Sequence, residues 1–142
     1  MMTNLLNTIY NTREISIFAT ALKITSLDKI IDSNCDFTIF TANNLAFAEL
    51  SKVNLKILTD DIWLVTEVLS LHIIPGKFEY KTLLKMCSVG TPTTLLTSID
   101  SSLVQIDLSD GIRIGNSLVL STDISPSNGI IHTIDRVMLP AL

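Results

Sequence analysis

The chain has 142 residues, a size typical of one domain with its own hydrophobic core. Hydrophobic residues make up 47% of the sequence and charged residues 17%, which excludes a disordered chain. The formal net charge is −4, and the clustered Lys and Arg that would bind nucleic-acid phosphates are missing. We therefore expect one globular domain over residues 1–142 that does not bind nucleic acid.

The N-terminal residues lack the basic region and the apolar region of an export signal, so the sequence as written favours a cytoplasmic location. No apolar run approaches the roughly 20 residues that a membrane-spanning helix needs. Cys35 and Cys87 are too few for a disulfide framework and lack the spacing of metal ligands. Two free thiols are expected in the cytoplasm, although one bridge between them stays open.

The first half of the chain is predicted to be mainly helical. A first short helix is expected after Thr3, which can cap it, and a second and third are expected before residue 33. Apolar residues at spacings of three and four mark the buried face of the second helix. The apolar positions of the first two helices are Leu5, Leu6 and Ile9, then Ile15, Phe18 and Leu22.

A strand and two further helices follow. Residues 37–41, FTIFT, alternate apolar and hydroxyl side chains and predict a strand, after which Asn43 or Asn44 can cap a short helix. A longer helix is predicted after residues 59–61, where a hydroxyl and two carboxylates suit a helix N-terminus. Its inward face is predicted to carry Ile62, Val65, Leu69 and His72, and Pro75-Gly76 is predicted to end the element.

The second half of the chain is predicted to be an antiparallel sheet. Short apolar runs begin at residues 93, 103, 112, 117 and 130, and turn-forming pairs separate them. Asp110-Gly111 and Gly115-Asn116 indicate tight turns. The predicted fold class is therefore α+β, with helices gathered in the first half and the sheet in the second.

Enzyme chemistry finds little support in the residues. No G-x-S-x-G and no glycine-rich phosphate loop occurs, and the two histidines and two cysteines are too scattered for a predicted zinc site. Asp60 and Asp61 are interpreted as charges at a helix start. Lys77, Lys81 and Lys85 are interpreted as a solvated face, with a basic docking stripe as the alternative.

Three segments resemble the conserved segments of fasciclin (FAS1) domains. Residues 128–140, NGIIHTIDRVMLP, are similar to the second signature of that family, N-G-x-I-H-x-I-D-x-V-L-x-P. Residues 36–50, DFTIFTANNLAFAEL, resemble its first signature, and residues 69–78, LSLHIIPGKF, resemble its central segment. The three occur in the family's order, and residues 15–31 fit its N-terminal helices. The resemblance covers nearly the whole chain.

The resemblance implies a fold as well as a set of core residues. The fold would be a β-sandwich or wedge of about seven strands with helices along one side, with residues 37–41 and 130–139 in one sheet system. Ala42 replaces the usual proline and Leu71 the usual tyrosine. The residues that the resemblance marks as structural are Phe40, Asn44, Phe47, His72, Pro75, Gly76, Asn128, Gly129, His132 and Asp135.

The resemblance also implies a function. FAS1 domains are usually extracellular adhesion modules without catalytic activity or cofactor, so a protein or glycan partner is expected. Asp123 and Ile124 occupy the position of an Asp-Ile pair linked to integrin binding in animal relatives, although the flanking residues differ. The alternative is an intracellular variant that binds, or acts on, a small apolar molecule. An internal apolar pocket would favour this alternative, whereas a filled interior with an exposed apolar patch would favour adhesion.

Overall fold

The computed structural model describes residues 4–31, 36–50, 60–87, 93–109, 111–115, 117–124, 126 and 128–138. The helices are Leu5–Tyr10 (α1), Ser16–Ile24 (α2), Asp28–Ile31 (α3), Asn44–Ala48 (α4), Ile62–Leu71 (α5) and Tyr80–Met86 (α6), and Arg13–Ile15 forms a 3₁₀ turn. The strands are Phe37–Ala42 (β1), Ile73–Pro75 (β2), Thr93–Thr97 (β3), Leu103–Asp107 (β4), Arg113–Ile114 (β5), Ser117–Ile124 (β6) and Gly129–Ile134 (β7).

The N-terminal helices bury the faces that their spacing predicts. Ile15, Phe18 and Leu22 are at most 1% exposed. In α1 the cap is Asn4, whose side chain accepts from the backbone N–H of Asn7 at 2.8 Å. The predicted cap Thr3 lies outside the described residues. These helices therefore dock on the sheet through apolar stripes, as amphipathic helices do.

Helix α5 differs from its predicted face at the first turn. Asp61 caps the helix, and its Oδ1 accepts from the N–H groups of Trp63 and Leu64 at 3.0 and 3.2 Å. Leu69 is buried as predicted, but Ile62 is 45% exposed, so its assignment to the inward face is wrong. The first turn of α5 borders an open groove beside α2, and the core begins only further along the helix. Thr59 lies outside the described residues.

Strand β2 is absent from the sequence-based assignment. Helix α5 ends at Leu71, and the next residues pair antiparallel with β1, with Ile73 opposite Ile39. Pro75 therefore ends a strand and not the helix. A three-residue strand with two buried isoleucines shows no alternation, so no periodicity could reveal it.

The seven strands form one continuous order, β2-β1-β7-β6-β5-β4-β3. Strands β1 and β7 are parallel, in register from Phe37 opposite Gly129 to Ala42 opposite Ile134, which confirms that the first and second signatures share a sheet. The remaining pairs are antiparallel. Strand β7 ends at Ile134 and not at residue 139 as expected, because residues 135–138 turn away to contact β6 and α5.

The sheet bends so that its two outer strands approach each other. β2 and β3 lie at opposite ends of the strand order, yet the N–H of Ile99, just after β3, donates to the carbonyl of Ile73 in β2 at 3.0 Å. The main core lies between this curved sheet and the helices, and joins α1, α2 and α5 to β1 and β7. The fold is thus α+β with seven strands and helices, as expected, but the sheet is mixed and not antiparallel throughout, because β1 and β7 are parallel.

Candidate functional site

The three family-like segments meet around the two histidines. Phe40 of β1 lies opposite His132 of β7, and the two rings stack with centroids 5.1 Å apart and an interplanar angle of 28°. The Nε2 of His132 donates to the carbonyl oxygen of Phe78 at 2.7 Å. Phe78 is tied to β1, because its N–H donates to Oγ1 of Thr38 at 2.8 Å. His132 thus joins the central segment to both signatures.

His72 joins helix α5 to the chain beyond β7. Its Nδ1 lies 2.8 Å from the carbonyl oxygen of Val68, and its Nε2 lies 3.0 Å from the backbone nitrogen of Met138. A carbonyl only accepts and an N–H only donates, so the ring is the neutral tautomer with its proton on Nδ1. Burial lowers the pKa of His72 to about 4, although the bond to Val68 acts in the opposite direction.

Both ring nitrogens of His72 are engaged in contacts within the folded chain. The side chain is 0% exposed, both ring nitrogens are occupied, and the ring of Phe18 packs edge-on at 5.6 Å. A base needs a free nitrogen within reach of a substrate proton. His132 is 1% exposed and is stacked and hydrogen-bonded as described above. Both side chains are positioned to hold elements together.

Asn128 and Gly129 connect the start of β7 to the N-terminal helices. Oδ1 of Asn128 accepts from the N–H of Leu5 at 2.6 Å, and its Nδ2 donates to the carbonyl of Ile31 at 3.4 Å. A Cβ on Gly129 would lie 2.3 Å from the carbonyl oxygen of Phe37 and 2.9 Å from Cδ2 of Leu5. Glycine is therefore required here because β1 and α1 approach the backbone so closely.

Asp135 closes the turn after β7. Its Oδ1 accepts from the N–H of Leu118 at 2.8 Å, and its own N–H donates to the carbonyl of Leu118 at 3.1 Å. Ser117 adds a bond from Oγ to the carbonyl of Arg136 at 2.9 Å. The carboxylate of Asp135 thus ties the residues after β7 to the start of β6.

Asn43 and Asn44, the two candidate caps of α4, bind different helices. The cap of α4 is Asn43, whose Oδ1 accepts from the N–H of Ala46 at 2.8 Å. Oδ1 of Asn44 accepts from the N–H of Ile17 at 3.0 Å, and its Nδ2 donates to the carbonyl of Arg13 at 3.1 Å. Of the two candidate caps, Asn43 is therefore the one used in α4, and the side chain of Asn44 satisfies the open N-terminus of α2.

Pro75 and Gly76 shape the turn after β2. Pro75 is exposed at the sheet edge opposite Phe37, and Gly76 has a φ of +105°, a conformation that disfavours any residue with a Cβ. The N–H of Gly76 donates to the carbonyl of Asp36 at 2.9 Å. The carbonyl of Gly76 accepts from Oγ1 of Thr38 at 2.7 Å.

The Asp-Ile pair lies at the end of β6. Ile124 pairs with Ile131 of β7 after an irregular register, and its side chain is 37% exposed. Asp123 precedes it in the same strand. Ile124 therefore lies opposite the residue that precedes His132 in β7.

A groove between α2 and α5, here called the α2–α5 groove, was not predicted. It has a volume of about 710 Å³ and is lined mainly by Ile17, Ala21 and Ile24 of α2 and by Ile62, Val65 and Leu69 of α5. Ile17, Ile24 and Ile62 are 44, 62 and 45% exposed. Phe47 is buried and borders the groove from α4. The sequence signal was the pair of isoleucines seven positions apart in α2, outside its predicted buried face.

A smaller cleft of about 530 Å³ has mixed chemistry. Glu49, Gln105 and Arg136 line it together with Leu71 and Met138. Leu71, which stands where the family resemblance favours tyrosine, lines this cleft and also packs against the core. Lys77, Lys81 and Lys85 are exposed, in agreement with the solvated face that their spacing indicates.

The described residues contain no candidate metal centre and no candidate membrane span. Within them, no three His, Cys, Asp or Glu side chains converge as a metal site would require. Nor does any helix in this part of the chain have the length and apolarity to cross a bilayer. Cys87 is half-buried, whereas Cys35 falls outside the described residues, so their pairing stays a prediction.

Comparisons with known proteins agree with this fold and these segments. The chain is 30% identical to the uncharacterized protein sll1735 of Synechocystis over 97% of its own length and 98% of that protein. It is 25% identical to human periostin over 91% of this chain, which corresponds to 15% of periostin. The FAS1 domain pair of insect Fasciclin I superposes with a TM-score of 0.79 at 17% identity, over 97% of this chain and 51% of the pair. The family profile of the Fasciclin domain matches residues 13–140, and the chain therefore belongs to the fasciclin family.

Proposed function

We propose that this chain is a non-catalytic interaction module that binds a protein partner through the α2–α5 groove. The exposed isoleucines of the groove carry the proposal, because large apolar side chains that share one surface are characteristic of interaction sites. Family membership supports the same class of function, since insect Fasciclin I is described as a cell adhesion molecule.

The composition of the surface next to the groove also favours a protein partner. Trp63 follows Ile62 in α5 and is 83% exposed. Tryptophan is enriched among the residues that contribute most to protein–protein binding. Glycan recognition, the other possibility for a module of this family, would instead need polar side chains converging on a shallow site, and apolar side chains dominate this groove.

The contacts of the histidines support a non-catalytic role. His72 is neutral, buried and bonded at both ring nitrogens, and His132 donates to a backbone carbonyl while stacking on Phe40. Each contact stabilises the folded chain. Binding needs only a shaped surface with a few anchors, which the groove supplies.

A capture experiment tests the proposal. The immobilised wild-type chain would be incubated with extracts and secreted material from the organism that carries it, in parallel with Ile24→Asp and Leu120→Asp variants. Leu120 of β6 is 53% exposed and lies outside the groove, so it is a matched control. We expect a protein that is retained by the wild type and the control and lost with Ile24→Asp.

The same experiment can contradict the proposal. Identical retained proteins for the wild type and Ile24→Asp would exclude the groove as the binding surface. An Ile124→Ala variant tests the Asp-Ile position separately, and selective loss there would place the partner surface at the end of β6. Retained polysaccharide in place of protein would indicate a glycan partner.

A second candidate function is the binding of a small apolar molecule in the same groove. Its volume of about 710 Å³ supports this candidate, because small-molecule sites typically measure about 300–1,000 Å³. Native mass spectrometry of the purified chain would test it. A stoichiometric organic ligand that is absent from Ile24→Asp would favour this function over protein binding.

A further inference from the structure

The two walls of the α2–α5 groove both have the periodicity of an α-helix. Ile17, Ala21 and Ile24 project from α2 at spacings of four and three, and Ile62, Val65 and Leu69 project from α5 at spacings of three and four. Side chains on each wall therefore recur about every 5.4 Å, one helical turn. Each wall extends over two turns, so the groove can receive side chains from successive turns of one ligand.

A third helix matches this spacing better than a strand does. Ridges and grooves of packed helices interlock because both repeat once per turn. On an extended strand, side chains of one face recur about every 6.8 Å, twice the rise per residue, and would fall out of step with the walls. Helix-in-groove recognition uses apolar anchors at positions i, i+3 or i+4, and i+7, which is the pattern of these walls.

One acidic residue borders the groove beside the N-terminus of α5. Asp60 lines the groove at the start of α5, and its exposed carboxylate has no hydrogen bond or ion pair with another residue in the described part of the chain. The carboxylate of Asp61 beside it is already used to cap α5. A cation on the ligand would therefore find an unengaged carboxylate at this end.

We propose that the α2–α5 groove binds an amphipathic α-helix of a protein partner, with a lysine or arginine at the end of its apolar stripe facing Asp60. This inference rests on the proposed function and adds the chemistry of the partner. The apolar stripe accounts for affinity, and the cation decides which way the helix lies, since charge complementarity sets orientation more than strength.

A pair of synthetic peptides tests the inference. Both would have about 15 residues, near the length at which isolated helices become stable, with leucines at i, i+4 and i+7. One carries lysine at the end of the stripe and the other carries glutamate. Fluorescence anisotropy of the labelled peptides would be measured with the wild type, Ile24→Asp, Asp60→Lys and the control Leu120→Asp.

We expect the lysine peptide to bind the wild type and Leu120→Asp with equal affinity and to bind Ile24→Asp about tenfold more weakly or worse, because an anchor position has become charged. Asp60→Lys should reverse the preference, so that the glutamate peptide binds the variant more tightly than the lysine peptide does. Circular dichroism of the bound peptides should show increased helix.

Several outcomes overturn the inference. Equal binding of both peptides to the wild type would mean that Asp60 does not discriminate between a lysine and a glutamate on the ligand. Binding that survives Ile24→Asp would place the helix elsewhere. Concentration-dependent dimers that Ile24→Asp abolishes, seen by sedimentation equilibrium without peptide, would make a second copy of this chain the occupant. If neither peptide binds but Ile24→Asp still loses a captured protein, the proposed function stands and only the helical partner fails.

Discussion

The backbone N–H of Met138 donates a hydrogen bond to Nε2 of His72 at 3.0 Å, across 66 positions of sequence. The other ring nitrogen of His72 bonds to Val68, one turn earlier in α5. One buried imidazole therefore connects the C-terminal end of α5 with the segment after β7. Because neither partner can find water there, the two bonds depend on the histidine and on its neutral form.

Replacing His72 with alanine should destabilise the chain. The change removes two hydrogen bonds, leaves the N–H of Met138 buried without an acceptor and opens a cavity beside Phe18. We expect a loss of roughly 2–4 kcal/mol in the free energy of unfolding. Urea denaturation would measure it, with the exposed Lys81→Ala as control. An unchanged stability combined with lost partner binding would contradict the structural role.

Acid should weaken the fold through the same histidine. The pKa of His72 is about 4 in the folded chain and about 6.5 as the ordinary value, so the unfolded chain binds the proton more readily. The free energy of unfolding should therefore fall as the pH decreases from about 6.5 to 4, by roughly 3 kcal/mol in total. Denaturation midpoints would be measured at intervals from pH 7 to 5, because this range lies above the pH at which most carboxylates titrate. His132→Gln controls for the other histidine, and a flat profile in both proteins would contradict the assignment.

Asn128→Ala should loosen the N-terminal helix. Without Oδ1 the N–H of Leu5 loses its acceptor at 2.6 Å, and the link to Ile31 is lost as well. We expect a cost of about 1–3 kcal/mol. Hydrogen exchange should show faster exchange in α1 and unchanged exchange at β1. Uniform acceleration across the chain would show that Asn128 supports the whole fold and not this helix.

Gly129→Ala should destabilise the chain more than an alanine substitution at a turn glycine does. The new methyl group would lie 2.3 Å from the carbonyl oxygen of Phe37, and this backbone atom can move only if the β1–β7 ladder shifts. We expect at least about 3 kcal/mol of destabilisation or failure to fold. At Gly115, with φ of +56°, the nearest contact is 3.5 Å to Sδ of Met138, so alanine there should cost only about 1 kcal/mol. Comparable thermal midpoints for the two variants would refute the close-approach argument.

The adjacent asparagines 43 and 44 should have separable effects. Asn43→Ala removes the cap of α4 and should cost about 1 kcal/mol, with faster amide exchange at Ala46. Asn44→Ala should cost a similar amount but accelerate exchange at Ile17, 27 positions away in sequence. If both variants affect only α4, the contact between Asn44 and α2 does not persist in solution.

Local chemistry explains why much of the fold could be predicted. The buried stripe of α2 follows from apolar spacing, and Gly111 and Gly115, with positive φ at the turns flanking β5, follow from turn chemistry. The pairing of β1 with β7 was predicted only through the family resemblance, because no local pattern reports contact between residues 92 positions apart. Where elements are short, as in β2, the local pattern contains too little information.

The functional surface was harder to predict than the core. A helical periodicity indicates which face is apolar, but it does not show whether another element covers that face. Ile62 was expected to be buried and is exposed, and Ile17 and Ile24 lie outside the predicted face and line the α2–α5 groove. The contact of the Asn44 side chain with α2 could not be predicted either, because a capping side chain can bind a helix that is distant in sequence.

The sequence by itself determined the fold class, the segments that carry the family resemblance and the residues suited to turns, caps and apolar faces, because these depend on propensities and spacings within a few residues. Only the tertiary structure decided that His72 bonds to Met138, that Gly129 lies against Phe37, and that α2 and α5 leave a groove between them. Those relationships depend on how distant elements pack. Packing is set by the sum of many weak contacts over the whole chain, and no single stretch of residues contains that sum.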